Sequence, residues 1–165
     1  MELRARLGKE IILFDGAMGT VLQQRGLKAG DVPEKLNIEK SEEIKDIHKS
    51  YLEAGAEILT TNTFGANALK MDEIDYSVEE VIAAAVGNAH RAVVESGIEA
   101  AVALDMGPLG ELLEPMGSLS FDEAYNLYQQ QVLVGVEHGA DLIHIETIAE
   151  LYEARAAVLA AKENS

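Results

Sequence analysis

Short apolar runs alternate with longer amphipathic segments along this chain. The runs cover residues 11–14, 58–61, 101–104 and 142–145, and each is followed by a stretch in which apolar residues recur with helical spacing. Strands that are apolar on both faces and alternate with helices are typical of a parallel sheet. The pattern therefore predicts an α/β chain built from four βα units.

A glycine precedes each of the last three apolar runs at a constant interval. Gly55, Gly97 and Gly139 lie 42 residues apart, each between a helical segment and a strand. Glycine is favoured just beyond a helix C-terminus because it readily adopts the left-handed conformation needed there. A repeat of this length is typical of βα units in a (β/α)8 barrel or in a doubly wound open sheet, and the spacing does not choose between them.

Capping signals mark where the helices begin. Ser41 is predicted to cap a helix whose apolar face carries Ile44, Ile47, Tyr51 and Leu52. Three further starts have the capping-box pattern Ser/Thr-x-x-Glu, in which the two side chains bond reciprocally to the backbone. The pairs are Ser77 with Glu80, Ser120 with Glu123, and Thr147 with Glu150.

Every predicted strand ends in, or is directly followed by, polar residues. In chain order they are Asp15, Thr61, Asn62, Asp105 and Glu146. Ligands bind at the carboxyl ends of parallel strands in both candidate folds, so we expect these residues to line one site. Three of them are acidic and no Lys or Arg accompanies them, which indicates a ligand with a cationic group, either an amine or a metal ion.

Glycines next to the first strand end add a second kind of ligand contact. The stretch "GAMGT", residues 16–20, offers backbone N–H groups to an anion. Its spacing matches neither the dinucleotide-binding fingerprint nor the P-loop. An α-amino acid is the simplest ligand that carries both an ammonium and a carboxylate.

The histidines are predicted to be structural. His48 and His90 fall within helical segments and are expected at the surface or its boundary, and His138 falls in a last helical turn. His144 is two residues before Glu146 and shares its strand face. A metal-binding pair of those two residues is the alternative, but a hydrogen-bonded core histidine is the favoured interpretation.

Composition narrows the functional classes. The 165 residues suit one domain. Acidic residues outnumber basic ones 29 to 13, for a net charge of −16, which argues against binding to nucleic acid or to an anionic membrane. There is no cysteine, so neither a disulfide nor a thiolate metal site forms within the chain. No stretch resembles a signal peptide or a membrane span, and we expect a cytoplasmic protein.

Five segments together resemble a known family. They are "LFDGAMGT", "PEKLN", "YLEAGAEILTTNTFGAN", "DMGPLGELLEPMG" and "ETIAEL". They resemble the homocysteine-binding barrel of the homocysteine S-methyltransferases, most closely the N-terminal module of the cobalamin-dependent methionine synthases. The resemblance runs in order over essentially the whole chain. It implies a (β/α)8 barrel of which residues 1–165 form the N-terminal half, about four βα units.

The resemblance also implies roles for the strand-end residues. Asp15 and Glu146 would hold the ammonium of homocysteine, and the backbone at Gly16 and Ala17 would contact its carboxylate. The remaining matched residues would shape or support the pocket: Thr61, Asn62 and Asp105. The acidic strand ends agree with the first of these roles.

One departure from the family limits the expected activity. The family's catalytic zinc is held by three cysteines from later strands, and this chain has no cysteine. Methyl transfer needs homocysteine as a thiolate, which zinc coordination supplies. We therefore expect this chain alone to be inactive and to bind no cofactor tightly. Zinc and cobalamin would belong to a longer parent protein, together with the rest of the barrel and downstream folate and cobalamin modules.

Several alternatives remain at this point. Methylcobalamin is the favoured methyl donor, with betaine and S-methylmethionine still open. A different class of function is a non-catalytic amino-acid-binding or assembly module. A third is a small α/β enzyme with Asp15, Asp105 and Glu146 as magnesium ligands, which the lack of nearby basic residues for phosphate weakens. A half-barrel would also expose unpaired strand edges, so we expect self-association.

Overall fold

Helices and strands alternate along the chain in the computed structural model, which describes residues 3–71 and 74–165. The helices are α1 (Leu3–Arg6), α2 (Met18–Gln24), α3 (Leu36–Glu39), α4 (Ser41–Glu53), α5 (Ala68–Met71), α6 (Val78–Ser96), α7 (Phe121–Glu137) and α8 (Leu151–Asn164), with a 3-10 turn at Pro33–Lys35. The strands are β1 (Ile58–Thr60), β2 (Ala101–Met106) and β3 (Leu142–Ile145). Three of the four predicted strands are thus confirmed. Within these described ranges, no helix is long and apolar enough to cross a lipid bilayer.

The sheet is parallel and its strands are neighbours in chain order. β1 pairs with β2 and β2 with β3, with Ile58 opposite Ala101 and Leu104 opposite Ile143. Phe14 adds a parallel bridge to Ile58 on the free side of β1. A doubly wound sheet reverses its strand order at a switch point. The described strands show no such reversal, and their sequential order is that of barrel winding.

The predicted first strand, residues 11–14, is wrong as a buried strand. Only Phe14 forms a bridge, and the carbonyl oxygen of Leu13 accepts from the N–H groups of Glu57 and Ile58. Ile11 is 86% exposed. An apolar strand becomes buried only when something covers both of its faces, and no described strand pairs with this segment on its outer side.

The main core lies between the sheet and the longer helices. α6 contacts α4 and α7, and α7 packs along α8. Buried side chains of β2 point into this layer, where Leu104 lies so close to α7 that a Cβ at Gly135 would come within 2.7 Å of it. Burying a side chain of this size contributes about 1.5–3 kcal/mol. The predicted face of α4 is confirmed, since Ile44, Ile47 and Leu52 are buried.

The helix ends follow the predicted signals in most places. Both reciprocal capping boxes are confirmed, at Ser77 with Glu80 and at Ser120 with Glu123. The three repeated glycines all have positive φ, which confirms their left-handed conformation. Their values are 102° for Gly55, 69° for Gly97 and 91° for Gly139.

Two predicted caps are wrong. Ser41 is the first residue of α4, and Lys40 precedes it without a side-chain cap. At α8 the capping residue is Glu150, whose carboxylate accepts from the N–H of Glu153 at 2.7 Å. Thr147 instead has a positive φ of 57°. The chain turns sharply there, so the helix begins later than the Thr-x-x-Glu pattern predicts.

Candidate functional site

A cleft of about 690 Å³ lies at the carboxyl ends of the strands. All seven residues predicted for the site line it: Asp15, Gly16, Ala17, Thr61, Asn62, Asp105 and Glu146. The structure therefore brings together residues that are as far apart in sequence as Asp15 and Glu146. The described residues that line this cleft include no Lys or Arg.

Asp15 is held rigidly at the end of the first segment. Its Oδ1 accepts from the hydroxyl of Thr60 at 2.7 Å and its Oδ2 from the N–H of Thr60 at 3.0 Å. The side chain is only 2% exposed. Burial raises the pKa of Asp15 to about 6 in spite of these bonds, and the charge of Glu146 acts in the same direction. A cation in the cleft would relieve the cost of this ionised carboxylate.

Asp105, at the end of β2, is also buried. Its backbone is fixed by two threonines, since its N–H donates to Thr61 Oγ1 at 3.1 Å and its carbonyl accepts from Thr63 Oγ1 at 2.7 Å. Its carboxylate Oδ1 is buried without a hydrogen-bond partner. Burial, followed by the negative charge of Glu146, holds the pKa of Asp105 well above its ordinary value.

Thr61 and Asn62 support the cleft through the surrounding loops. The amide of Asn62 donates to the carbonyl of Pro33 at 2.9 Å, and the carbonyl of Asn62 accepts from Asn37 at 2.7 Å. These bonds fasten the segment "PEKLN" to the end of β1. The hydroxyl of Thr61 accepts from the N–H of Asp105 in β2 and lies 2.6 Å from the hydroxyl of Thr63. Thr61 thereby connects the end of β1 to β2.

The turn at Gly16 and Ala17 rests on Tyr51. A Cβ at Gly16 would come within 2.7 Å of the Tyr51 ring, so only glycine fits there without a shift of the ring. The Tyr51 hydroxyl donates to the carbonyl of Ala17 at 3.1 Å. Both residues of the turn line the cleft.

Glu34 and Phe64 also line the cleft, although the sequence pattern does not single them out. Glu34 is buried, and its Oε1 accepts from the N–H of Gly65 at 2.6 Å. Phe64 packs so tightly on Gly107 that a Cβ there would come within 2.6 Å of the ring. Both contacts join distant loops, and no local periodicity reports them.

His48 is not at the surface or its boundary, so that prediction is wrong. It is fully buried, and its Nδ1 lies 4.0 Å from Oδ2 of Asp15. Burial lowers the pKa of His48 to about 4, so it is neutral and adds no positive charge beside Asp15. The signal was present in the sequence, because His48 shares a helical face with Ile44 and Leu52.

His144 is not a hydrogen-bonded core histidine. It lines the cleft, partly exposed, with its ring 5.0 Å from that of Phe14. Its Nδ1 has no hydrogen-bond partner and lies 3.4 Å from Oδ1 of Asp105. By contrast, His90 lies at the surface boundary as expected, with Nε2 2.9 Å from the carbonyl oxygen of Gly139.

Comparison with known proteins identifies the family. The sequence model of the homocysteine S-methyltransferase family matches residues 12–165. The chain belongs to the homocysteine S-methyltransferase family. It is 31% identical over 167 residues to methionine synthase of Mycobacterium tuberculosis (strain ATCC 25618 / H37Rv), an alignment that covers 94% of this chain and 14% of that protein. The resemblance carried by the five segments is thus confirmed.

Solved structures of this family have the same fold. The oxidised form of the homocysteine methyltransferase MmuM from Escherichia coli matches with a TM-score of 0.83 at 27% identity, over 98% of this chain and 61% of that one. Its metallated form matches with a TM-score of 0.82 at 26% identity, over 98% and 62%. This family member therefore spans less than two thirds of the length of these relatives.

The thiolate zinc site implied by the family does not fit the residues of this chain. The cleft offers carboxylates and one imidazole, and the sequence contains no cysteine. In the family, a zinc ion held by cysteine thiolates would activate the homocysteine sulfur by coordinating it. No step of sulfur activation is therefore assigned to these residues.

Proposed function

We propose that this chain is the homocysteine-binding part of a methyltransferase that transfers a methyl group to the homocysteine sulfur and forms methionine. The observation that carries the proposal is that Asp15 and Glu146 line one cleft, and that the described residues of its lining include no Lys or Arg. A buried carboxylate held by Thr60 is a preorganised acceptor for an ammonium group. Because the chain belongs to the homocysteine S-methyltransferase family, the simplest ligand that carries such an ammonium group is the amino acid homocysteine.

In this proposal, different residues of the cleft contact different groups of homocysteine. Asp15 and Glu146 accept hydrogen bonds from the ammonium, and the backbone at Gly16 and Ala17 contacts the carboxylate. Phe64 offers an apolar wall to the ligand's methylene groups. Thr61, Asn62 and Asp105 hold the strand ends and the neighbouring loops in place, as their hydrogen bonds to backbone groups suggest.

The architecture of a longer parent protein is part of the proposal. Residues 1–165 would form the N-terminal half of a (β/α)8 barrel, as the sequential strand order and the 61% coverage of the E. coli enzyme support. The other half would supply the zinc thiolates. The likeness to a methionine synthase favours methylcobalamin, regenerated from methyltetrahydrofolate on further modules, as the methyl donor.

Calorimetric titration tests the proposed ligand. L-Homocysteine and L-methionine should bind the purified chain, and Asp15→Asn should weaken binding at least about tenfold, because a hydrogen bond to a charged group is worth roughly 1.5–3 kcal/mol. Asp46→Asn, an exposed acid of α4, is the matched control and should leave the affinity unchanged. With methylcobalamin added, the chain should form no methionine.

Two results would overturn the proposal. If the Asp15→Asn chain and the unsubstituted chain bind homocysteine with equal affinity and have matching circular dichroism spectra, Asp15 is not part of the binding site. Methionine formation by the 165-residue chain would show that activation of the sulfur does not depend on the missing thiolates.

A further inference from the structure

We propose that Asp105, His144 and Glu146 form a binding site for a divalent transition metal ion of the Zn²⁺ class. One ligand atom from each residue lies within 4.8 Å of the other two. This site is separate in chemistry from the family's thiolate zinc, because it uses one imidazole and two carboxylates. It shares Glu146 and Asp105 with the proposed homocysteine site, but the observations that support it do not rest on that proposal.

The distance between Asp105 and His144 already suits a shared metal ion. Oδ1 of Asp105 and Nδ1 of His144 are 3.4 Å apart. Two ligands of a tetrahedral Zn²⁺ ion with bonds of about 2.0–2.1 Å lie about 3.3 Å from each other. Glu146 is partly exposed, its Oε2 accepts from the Thr147 hydroxyl at 3.1 Å, and one of its carboxylate oxygens already lies within 4.8 Å of the other two ligand atoms.

Neither of these two atoms takes part in a hydrogen bond with the described residues. Asp105 is 6% exposed, and its Oδ1 and the Nδ1 of His144 are buried polar atoms that accept and donate no hydrogen bond within the described structure. A buried polar group without a hydrogen-bond partner destabilises the fold. A metal ion between the two atoms would satisfy both at once.

The two ligands stand on rigid, paired strands. The register of β2 and β3 places Asp105 directly opposite His144. The backbone of Asp105 is fixed by hydrogen bonds to Thr61 and Thr63, and the N–H of Glu146 donates to the carbonyl of Met106 at 3.1 Å. Binding would therefore require side-chain rotation only, without movement of the sheet.

The negative charge of the cleft and the types of ligand atoms determine which metal ion should bind. Two further acids, Asp15 and Glu34, line the same cleft, so a dication is favoured over a neutral ligand. Imidazole is a good ligand for Zn²⁺, Co²⁺ and Ni²⁺, whereas Mg²⁺ and Ca²⁺ prefer oxygen ligands alone. We expect Zn²⁺ and Co²⁺ to bind and Mg²⁺ to bind much more weakly.

Titration of the tag-free, chelator-treated chain with Co²⁺ tests the site. One equivalent should bind and give the intense visible d–d absorption of a low-symmetry Co²⁺ complex. His144→Ala and Asp105→Asn should each weaken binding at least tenfold. His138→Ala removes an exposed histidine at the end of α7 and should change nothing. Zn²⁺ should displace Co²⁺, and a hundredfold excess of Mg²⁺ should not.

Other results would overturn the site. Co²⁺ that keeps the weak spectrum of its aqua ion shows that no protein ligand binds it. Equal Co²⁺ affinity of the parent and His144→Ala chains places any bound metal elsewhere. Because Asp105→Asn changes a buried residue, His144→Gln, checked by circular dichroism, provides a second variant at a partly exposed position. These readouts involve no amino acid ligand, so they are independent of the titrations with homocysteine.

Discussion

At the scale of single residues, Asp15 and His48 are buried next to each other. Their ionisations change the stability of the fold in opposite directions as the pH changes. Burial raises the pKa of Asp15 to about 6 and lowers that of His48 to about 4. The protonated form of Asp15 is favoured by folding, so its contribution to stability is lost as pH rises through 6. His48 is favoured neutral, so its contribution is lost as pH falls from about 6.5 toward 4. The two effects largely cancel in the parent chain.

Asp15→Asn should reveal the hidden pH dependence. The variant keeps His48 but loses the acid, so between pH 7 and pH 5 its free energy of unfolding should fall by about 1 kcal/mol more than that of the unsubstituted chain. Glu146, whose charge also raises the pKa of Asp15, is present in both chains. Urea denaturation at a series of pH values measures the difference. Parallel stability curves for the two proteins would contradict it.

Strand-end chemistry could be predicted from sequence because it is local. Asp15, Asp105 and Glu146 each follow an apolar run, and the parallel sheet alone brings them to one cleft. Glu34 could not be found in this way, since its bond to Gly65 joins two loops. The partner of His144 could not be found either, because it depends on the register between β2 and β3.

At the scale of elements, the capping pattern predicts helix starts only where the backbone before the helix is extended. The residues that cap α6 and α7, Ser77 and Ser120, have ψ near 159° and accept from the third helical N–H. Thr147 follows the cleft residue Glu146 in a left-handed turn, which delays α8. The pattern Ser/Thr-x-x-Glu therefore caps a helix at Ser77 and Ser120 but not at Thr147. The difference comes from the left-handed turn at Thr147, directly after the cleft residue Glu146.

Alanine substitution should separate the two outcomes. Ser120→Ala removes the cap of α7 and should lower the free energy of unfolding by about 1 kcal/mol. Thr147→Ala removes no cap and should cost less than about half of that. Ser118→Ala, in the exposed loop before α7, is the control. Urea denaturation compares the three variants, and equal losses for Ser120 and Thr147 would refute the assignment of the caps.

At the scale of the whole molecule, the sheet has two free sides. Ile11 and Leu13 are largely exposed beside β1, and every residue of β3 is only partly buried. The sequence predicts that these runs are buried because they are hydrophobic. Whether they are in fact buried depends on which element of the structure pairs with each outer strand. Exposed apolar edges of this kind are templates for pairing with another chain.

We expect the purified chain to self-associate through the free side of the sheet at tens of micromolar. Ile11→Lys should reduce this association, since a charge on an edge disfavours pairing. Val94→Lys alters a similarly exposed apolar residue on α6, away from the edge, and should not reduce it. Light scattering over a dilution series provides the measurement. A monomeric parent chain, or equal effects of the two substitutions, would count against pairing at this edge.

The sequential order of the strands also has a consequence for synthesis. Chains leave the ribosome from the N-terminus at roughly 5–20 residues per second. Since β1, β2 and β3 pair in the order in which they are made, each unit can dock on its predecessor without waiting for a later one. The acidic cleft, whose walls come from successive units, would then be assembled on the nascent chain one wall at a time. In the proposed longer parent, the proposed amino acid site would then be in place before the residues proposed to carry out the methyl transfer are made.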